Sequence, residues 1–181
     1  MQNKVLIHAC CAICLGYPHQ RLTQDGYDVS VLFYNPNIYP QSEYKQRLDE
    51  VIRFCSETKT PLFVIEDEEQ VYYDFVNGLE YEREKGLRCE KCFELRLNKT
   101  AEFAKNNNFD FFTTTLSVSP HKNFNQIKSV AENIENNYNI KYLAYDFKKQ
   151  NGFKITNEIA NSYGFYRQNY CGCKFSIRKE D

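Results

Sequence analysis

Short apolar runs rich in β-branched and aromatic residues alternate along this chain with segments of helical periodicity. The runs predict five strands, at residues 5–8, 29–34, 62–65, 111–116 and 142–145. The other segments predict helices, over 18–25, 42–55, in pieces over 71–84, and over 92–106, 125–137 and 155–163. Strands that alternate with helices at this spacing form parallel βαβ units. We therefore predict an α/β fold, with a doubly wound, mostly parallel sheet that carries helices on both faces.

The length of 181 residues suffices for one domain with its own core, so we expect residues 1–181 to form a single domain. In open parallel sheets, ligands gather beyond the carboxyl ends of the strands. The polar loops at residues 9–14, 35–40 and 117–122 follow strands one, two and four, which places all three at that edge. The sequence indicates one site there.

Seven of the eight cysteines fall into three tight groups. Thiols spaced this closely are typical of metal coordination or electron transfer, since a cysteine that only packs needs no neighbour. The eighth, Cys55, stands apart, and its helical spacing places it on an apolar helix face, where we expect it to pack. The three groups are Cys10, Cys11 and Cys14, then Cys89 and Cys92, then Cys171 and Cys173.

The first two groups can share a metal centre. Cys89 and Cys92 have the spacing that lets both sulfurs reach one metal or one cluster. The side chains of the adjacent Cys10 and Cys11 are expected to diverge, which favours a multi-iron cluster such as [4Fe–4S] over one ion. A tetrahedral zinc site and a metal-free dithiol enzyme stay open as alternatives. Cys14 is a surplus thiol that can bind a further iron, replace a ligand or pack.

The Cys171-Gly172-Cys173 segment differs from the other two groups. A disulfide across one intervening residue closes a small, strained ring, and strained bridges are easily reduced. Gly172 supplies the backbone freedom that such a ring needs. The segment is therefore a candidate redox-active pair, while two free thiols or two metal ligands remain the alternatives.

Composition bounds the partners of the chain. The net charge of −1 gives no overall argument for nucleic acid, although residues 83–105 hold a local excess of basic residues that can meet a polyanion.

The apolar run at residues 5–7 is too short for a signal peptide, and no stretch approaches the ~18 apolar residues of a membrane span. We therefore expect a cytoplasmic protein. The glycine motifs of nucleotide sites are missing, so NAD or flavin would belong to a partner.

Five segments carry a more specific signal. They are HACCAIC at 8–14, YNPNIYP and EYKQR within 34–47, RCEKCFELRL at 88–97, TTTLSVSPHKN at 113–123 and YRQNYCGC at 166–173. In the same order and over almost the whole chain, these segments resemble the QueH-type, cobalamin-independent epoxyqueuosine reductases. The resemblance implies the last step of queuosine synthesis. In that step the epoxide on the cyclopentane ring of epoxyqueuosine, at the wobble position of tRNA, is reduced to the alkene of queuosine.

The resemblance also implies a Rossmann-like fold of the adenine-nucleotide α-hydrolase type and an electron donor that the sequence does not identify. It implies a [4Fe–4S] cluster, an additional mononuclear iron beside it and a redox-active disulfide. The cluster ligands would be Cys10, Cys11, Cys89 and Cys92, the expected ligand of the further iron Cys14, and the disulfide Cys171–Cys173.

Six side chains in the matching loops are expected to bind the substrate or deliver protons. Two other functions stay open from the residues alone: a zinc-stabilised tRNA-binding module without chemistry, and a thiol–disulfide oxidoreductase that acts on proteins. The six side chains are Tyr39, Glu43, Tyr44, Arg47, His121 and Lys122.

Overall fold

The computed structural model describes residues 2–66 and 68–177, which contain one five-stranded parallel sheet. The strands lie in the order β3-β2-β1-β4-β5, and every neighbouring pair is parallel. The chain order reverses between β1 and β4, and such a switch point opens a crevice at the carboxyl ends of the strands. The strands are β1 (Lys4–His8), β2 (Asp28–Phe33), β3 (Leu62–Val64), β4 (Phe111–Thr114) and β5 (Lys141–Tyr142).

Helices cover both faces of this sheet, which confirms the predicted doubly wound class. Alternate residues of each strand point to opposite faces, so β1 buries Val5 and Ile7 on one face and Leu6 on the other. Helices α1, α2 and α6 pack on the first face, and α4 and α5 on the second. The helices are α1 (Ala12–Gln24), α2 (Gln41–Thr58), α3 (Glu69–Phe75), α4 (Leu87–Asn106), α5 (Phe124–Tyr138) and α6 (Gly152–Tyr163).

Three helices begin three or more residues earlier than the sequence predicts, and two of these differences shape the site. α1 begins at Ala12 rather than at residue 18, so Pro18 lies inside the helix and Cys14 on its first turn. The first turns of α1 are buried on several sides, so they lack the polar positions that reveal an amphipathic helix. α4 begins at Leu87 and includes both Cys89 and Cys92. α6 likewise begins at Gly152, three residues early.

Two strands are two residues shorter than predicted. β4 ends at Thr114, because residues 115–118 wind into a 3₁₀ turn whose Leu116 N–H donates to the Thr114 hydroxyl. β5 has only two residues, and the aromatic run that follows it lies beyond the ladder. Cys55 is buried in the apolar cluster between α2 and the sheet, as predicted. Within the described part of the chain, no helix has the length and apolar character to cross a bilayer.

Gly152 should be intolerant of any side chain. A Cβ atom there would meet the carbonyl oxygen of Phe147 and lie 2.6 Å from Cε1 of Tyr17, a residue of α1. Because a backbone carbonyl cannot give way as a flexible side chain can, we expect Gly152→Ala to lower the free energy of unfolding by about 2 kcal/mol. Urea unfolding measures this change. The exposed Lys154→Ala on the same helix should stay within about 0.5 kcal/mol of wild type, and equal losses in both variants would contradict the packing argument.

Candidate metal centre and active site

The site lies at the carboxyl end of β1, where His8 ends the strand and the first cysteines follow. Burial, reinforced by the positive charge of Arg96, lowers the pKa of His8 to about 4. The imidazole is therefore neutral near pH 7, and its two nitrogens lie within hydrogen-bond distance of Thr114 and Asn35. The buried His8 thus links the end of β1 to Thr114 of β4 and to Asn35 just after β2, beneath the site.

Cys10, Cys11 and Cys14 form a compact group of three thiols. Their sulfur atoms all lie within 4.8 Å of one another, and the sulfurs of Cys10 and Cys11 are 3.8 Å apart. The prediction that these adjacent side chains diverge is wrong, because Cys11 is the N-cap residue of α1 and the chain turns at that point. An N-cap residue and the residue three positions later meet at the start of a helix, which brings Cys14 to the same point. This group can hold a metal ion.

The three thiols share their protons unequally. Hydrogen bonds from Cys11 and then Cys14 hold the pKa of Cys10 well below its ordinary value. The pKa of Cys14 is raised, because its S–H group donates hydrogen bonds to Cys10, with the larger effect, and to Cys11. Negative charge therefore concentrates on Cys10 in the metal-free protein. A metal ion would displace the remaining protons, because thiolates are the binding form of cysteine.

The second cysteine pair lies at the start of α4. Cys89 packs against the apolar cluster that contains Cys10 and Cys11, and its sulfur accepts a hydrogen bond from the Lys85 N–H at 3.2 Å. Cys92 is buried beside Cys173. Burial raises the pKa of Cys92 to about 12, helped by the nearby charges of the Cys171 and Cys173 thiols. The CxxC pair thus lies between the first cysteine group and the last.

The last cysteine pair follows α6 in residues 165–177, which cover the site and are called the closing segment here. Cys171 lines the cavity described below, whereas Cys173 is buried against Tyr72, Val76 and Cys92. All eight cysteines are free thiols, so the predicted Cys171–Cys173 disulfide is not formed in this structure. The redox role of the pair stays a prediction. Gly172 between them has φ of +131°, a left-handed conformation that favours glycine.

Arg47 clamps this segment from α2. Its guanidinium donates to the carbonyl oxygens of Cys171 at 3.0 Å and Tyr170 at 3.3 Å, while Nε pairs with Glu43 at 2.7 Å. Glu43 in turn accepts a hydrogen bond from the Tyr166 hydroxyl at 2.9 Å. The Arg47 side chain is only 1% exposed, and a Cβ on residue 172 would lie 3.0 Å from its Nη1. The buried ion pair therefore fixes the backbone on which Cys171 and Cys173 stand.

Two further cations face the thiols without a carboxylate partner. Burial opposes the charge of Arg96, yet the thiolates of Cys92, Cys171 and Cys10 outweigh it and raise its pKa. The same balance holds for Lys122, where Cys171, Cys10 and Cys14 raise the pKa against burial. Among the described residues neither side chain makes an ion pair with Asp or Glu, and Nη2 of the buried Arg96 has no hydrogen-bond partner. Cys10, whose pKa is lowered, is therefore a counter-charge that both cations share.

A cavity of about 370 Å³ opens beside these groups. Cys10, Cys14 and Cys171 bring sulfur to its wall from two distant parts of the chain. The rest of its lining comes from the 3₁₀ turn and the loop after it, from α6, from the closing segment, and from Ile13, Glu84 and Lys85. These other residues include Lys122, His121, Phe153, Asn157, Gln168 and Asn169.

The six predicted substrate-binding side chains separate into two sets. His121 and Lys122 line the cavity, and a substrate contact stays a prediction for both. Three of the others contact the closing segment: Arg47 and Glu43 form the clamp, and the Tyr39 backbone N–H donates to the Gly172 carbonyl oxygen. Tyr44 packs its ring edge-on against Phe33. The observed contacts of these four are with the protein itself, and a substrate contact stays a prediction for them as well.

Sequence reasoning missed Arg96, Gln168 and Asn169. Arg96 belongs to the basic stretch at 83–105, which had been interpreted as a surface for phosphate. Arg88 of that stretch is buried as well, where it donates to the carbonyl oxygens of Leu79 and Glu80. Gln168 and Asn169 stand just before the last cysteine pair in the YRQNYCGC segment. That position was the signal that could have found them.

A family model described as "Epoxyqueuosine reductase QueH" matches residues 5–179 of the chain. The chain belongs to this family. Epoxyqueuosine reductase QueH of Haemophilus influenzae is 37% identical over 177 residues, which cover 97% of this chain and 72% of the relative. The QueH of Streptococcus pyogenes is 41% identical, over 99% of this chain and 72% of the relative. The QueH of Thermotoga maritima is 34% identical, over 96% of this chain and 90% of the relative.

Solved structures confirm the fold. A predicted subunit of tRNA methyltransferase from Methanocaldococcus jannaschii has a TM-score of 0.59 at 14% identity, over 86% of this chain and 75% of its own. The U34-tRNA thiolase NcsA from Methanococcus maripaludis, solved with its [4Fe-4S] cluster, has a TM-score of 0.61 at 12% identity. The match covers 98% of this chain and 63% of the thiolase. These likenesses confirm the predicted α/β fold with its parallel, doubly wound sheet.

The Arg47 clamp should control access to the buried Cys173. Arg47→Lys keeps the charge but loses the planar fork that reaches two carbonyl groups, so the closing segment should open more often. We expect iodoacetamide to modify Cys173 at least about tenfold faster in the native variant, since lost hydrogen bonds to a charged group cost roughly 1.5 kcal/mol or more. Peptide mass spectrometry measures the rate.

Arg53→Lys is the matched control, because Arg53 lies on the same helix, pairs with Glu50 and donates to the Tyr163 carbonyl oxygen away from the cysteines. Wild-type modification rates in Arg47→Lys, or equal acceleration in the two variants, would count against the clamp.

Proposed function

We propose that this protein reduces epoxyqueuosine at the wobble position of tRNA to queuosine, the last step of queuosine biosynthesis. The observation that carries the proposal is the convergence of Cys10, Cys14 and Cys171 on one cavity, in a chain of the QueH family. Such a convergence of thiols serves redox or metal chemistry rather than packing. The reaction consumes two electrons and two protons per epoxide and releases the oxygen as water.

The residues of the site fit an anionic, thiolate-ligated metal centre. Arg96 is buried, and among the described residues its Nη2 has no hydrogen-bond partner and its guanidinium has no carboxylate partner. A buried charge without compensation costs several kcal/mol. A centre that carries negative charge on sulfur would compensate both Arg96 and Lys122. Sulfur ligands select zinc, copper(I) or iron–sulfur clusters over hard cations. We propose a [4Fe–4S] cluster on Cys10, Cys11, Cys89 and Cys92, with Cys14 available to an additional iron.

When bound, the iron centre supplies single electrons and a Lewis acid for the epoxide oxygen. The chain's own dithiol matches the overall stoichiometry. Oxidation of Cys171 and Cys173 to a disulfide releases two electrons and two protons, which are the quantities that convert the epoxide to an alkene and water. An external donor, whose identity the residues do not specify, must then reduce the disulfide. Lys122 holds a proton at the cavity wall, because the surrounding thiolates raise its pKa.

The size of the cavity restricts how tRNA can present its base. A volume of about 370 Å³ lies at the small end of ligand pockets and admits one modified base rather than a stacked strand. The wobble nucleotide must therefore leave its stack, as single-stranded RNA recognition and base-modifying chemistry generally require. Lys85 and Arg167 stand at the cavity and replace the buried arginines of the 83–105 stretch as candidates for phosphate contacts. Free thiols and a tRNA substrate also support the proposed cytoplasmic location.

Iron content tests the ligand assignment. Wild-type protein reconstituted without air should bind about four or more irons and four acid-labile sulfides per chain. Cys10→Ser should lose most of this iron, whereas Cys14→Ser should keep the four sulfides and lose only iron in excess of four. Cys55→Ser is the control and should match wild type, because Cys55 packs in the core away from the site. Colourless wild-type protein that carries one zinc would overturn the cluster assignment.

The reaction itself is tested with tRNA that contains epoxyqueuosine, reconstituted protein and a strong chemical reductant. Nucleoside mass spectrometry should show the loss of one oxygen mass at the modified base. Cys171→Ser and Cys173→Ser should each reduce multiple-turnover activity by at least about a hundredfold, because neither variant can complete the two-electron dithiol cycle. Unchanged turnover in both variants would exclude the redox role of the pair while leaving the reductase activity in place.

A further inference from the structure

Gln168 joins the cavity to the metal-ligating cysteines. Its Nε2 lies 3.1 Å from the sulfur of Cys11, and its Oε1 is buried without a hydrogen-bond partner among the described residues. The same side chain lines the cavity. We propose that the carbonyl oxygen of Gln168 accepts a hydrogen bond from a hydroxyl group of the epoxidised ring, while its amide N–H holds the Cys11 sulfur. This inference rests on the proposed function and assigns a residue of that same site to substrate recognition.

The direction of the amide follows from the sulfur chemistry. The structure places Nε2, the amide nitrogen that carries the protons, 3.1 Å from the Cys11 sulfur. A sulfur that serves as a metal ligand is a thiolate, which has no proton and can only accept such a hydrogen bond. The amide nitrogen of Gln168 must therefore face the sulfur, and its carbonyl oxygen must face away from it.

The unpaired oxygen needs a donor that residues 2–66 and 68–177 do not supply. A buried carbonyl oxygen left unpaired costs about 1–3 kcal/mol, so it marks a place where a ligand donor is missing. The neighbouring Arg167 cannot fill it, because its guanidinium is engaged by the side-chain oxygens of Asn157 and Asn161 at 2.9 and 2.8 Å.

The position of Gln168 selects the kind of donor. The reacting epoxide must approach the thiol-bound centre, and Gln168 contacts one of the thiols of that centre. The hydroxyl groups of the epoxidised ring stand on carbons of the same small ring as the epoxide. They are therefore the substrate donors that come nearest to Gln168, whereas the purine-like base and the ribose lie further along the nucleotide.

The two ends of one amide are electronically linked. A hydrogen bond accepted by the carbonyl oxygen polarises the amide and strengthens the bond that its N–H donates. Hydrogen bonds to cluster sulfurs raise the reduction potential of the cluster. Bound substrate would therefore raise the potential of the centre through Gln168, and by thermodynamic reciprocity the reduced centre would bind substrate more tightly.

The test compares two tRNAs on the reconstituted holoenzyme. One tRNA carries epoxyqueuosine and the other an unmodified guanine at the same position, which lacks the ring hydroxyls. Gln168→Leu should reduce the affinity for the first tRNA roughly tenfold, the effect of one lost hydrogen bond to a buried group, and leave the affinity for the second unchanged. The reduction potential of its substrate-free cluster, followed by electron paramagnetic resonance, should fall below the wild-type value.

Gln168→Glu separates the two ends of the side chain. It keeps an acceptor oxygen and loses the amide donor, so the preference for the epoxyqueuosine tRNA should return to within about threefold of wild type while the potential stays low. Gln126→Leu is the matched control, since the Gln126 amide donates to Glu90 outside the cavity, and both readouts should equal wild type.

Equal losses of affinity for both tRNAs in Gln168→Leu would reduce Gln168 to a structural residue and overturn the inference. So would a wild-type preference and potential in that variant. Either result would leave the proposed function standing whenever the wild-type enzyme still removes the oxygen. Failure of the wild type to remove it would instead reject the proposed function.

Discussion

The attraction between cations and sulfur is the interaction on which the rest of this structure depends. Arg96 is buried and Lys122 is half-buried, neither has a carboxylate partner in the described chain, and the thiols of three separate segments lie around them. A buried charge without a partner is very costly, so Arg96 favours an anionic sulfur beside it. Cys10 answers this need, because its pKa is lowered while the pKa values of Cys14 and Cys92 are raised, and a soft metal would displace the protons that those cysteines keep.

The sheet explains how such distant residues meet. Parallel strands deliver their loops to one edge, and the reversal between β1 and β4 leaves a gap there. The start of α1 brings the first thiols into this gap, α4 brings the CxxC pair from the other face of the sheet, and the closing segment after α6 covers them. The Arg47–Glu43 pair fixes that segment on α2, so these two residues support the cover of the site.

Much of the fold was predictable, because β-branched runs and amphipathic periodicity record burial directly in the sequence. The alternation of strands and helices and the doubly wound class follow from those patterns. The start of α1 does not, because residues 12–17 are buried on several sides and show no amphipathic period. The meeting of Cys10 with Cys11 was mispredicted for the same reason, since it depends on a helix that begins at Ala12. The burial of Arg96 and the clamp by Arg47 are tertiary facts, and a basic residue in a sequence carries no mark of where its charge will be compensated.

The placement of the last cysteine pair has a consequence for biosynthesis of the protein. The five cysteines of the first two groups leave the ribosome long before Cys171 and Cys173. Arg47 on α2, which holds the backbone beside Gly172, is also synthesised before that segment. The scaffold thiols are thus in place while the cavity still lacks its cover. A nascent chain at that stage has an open cavity with its first thiols already in place, and residues 166–173 then cover it.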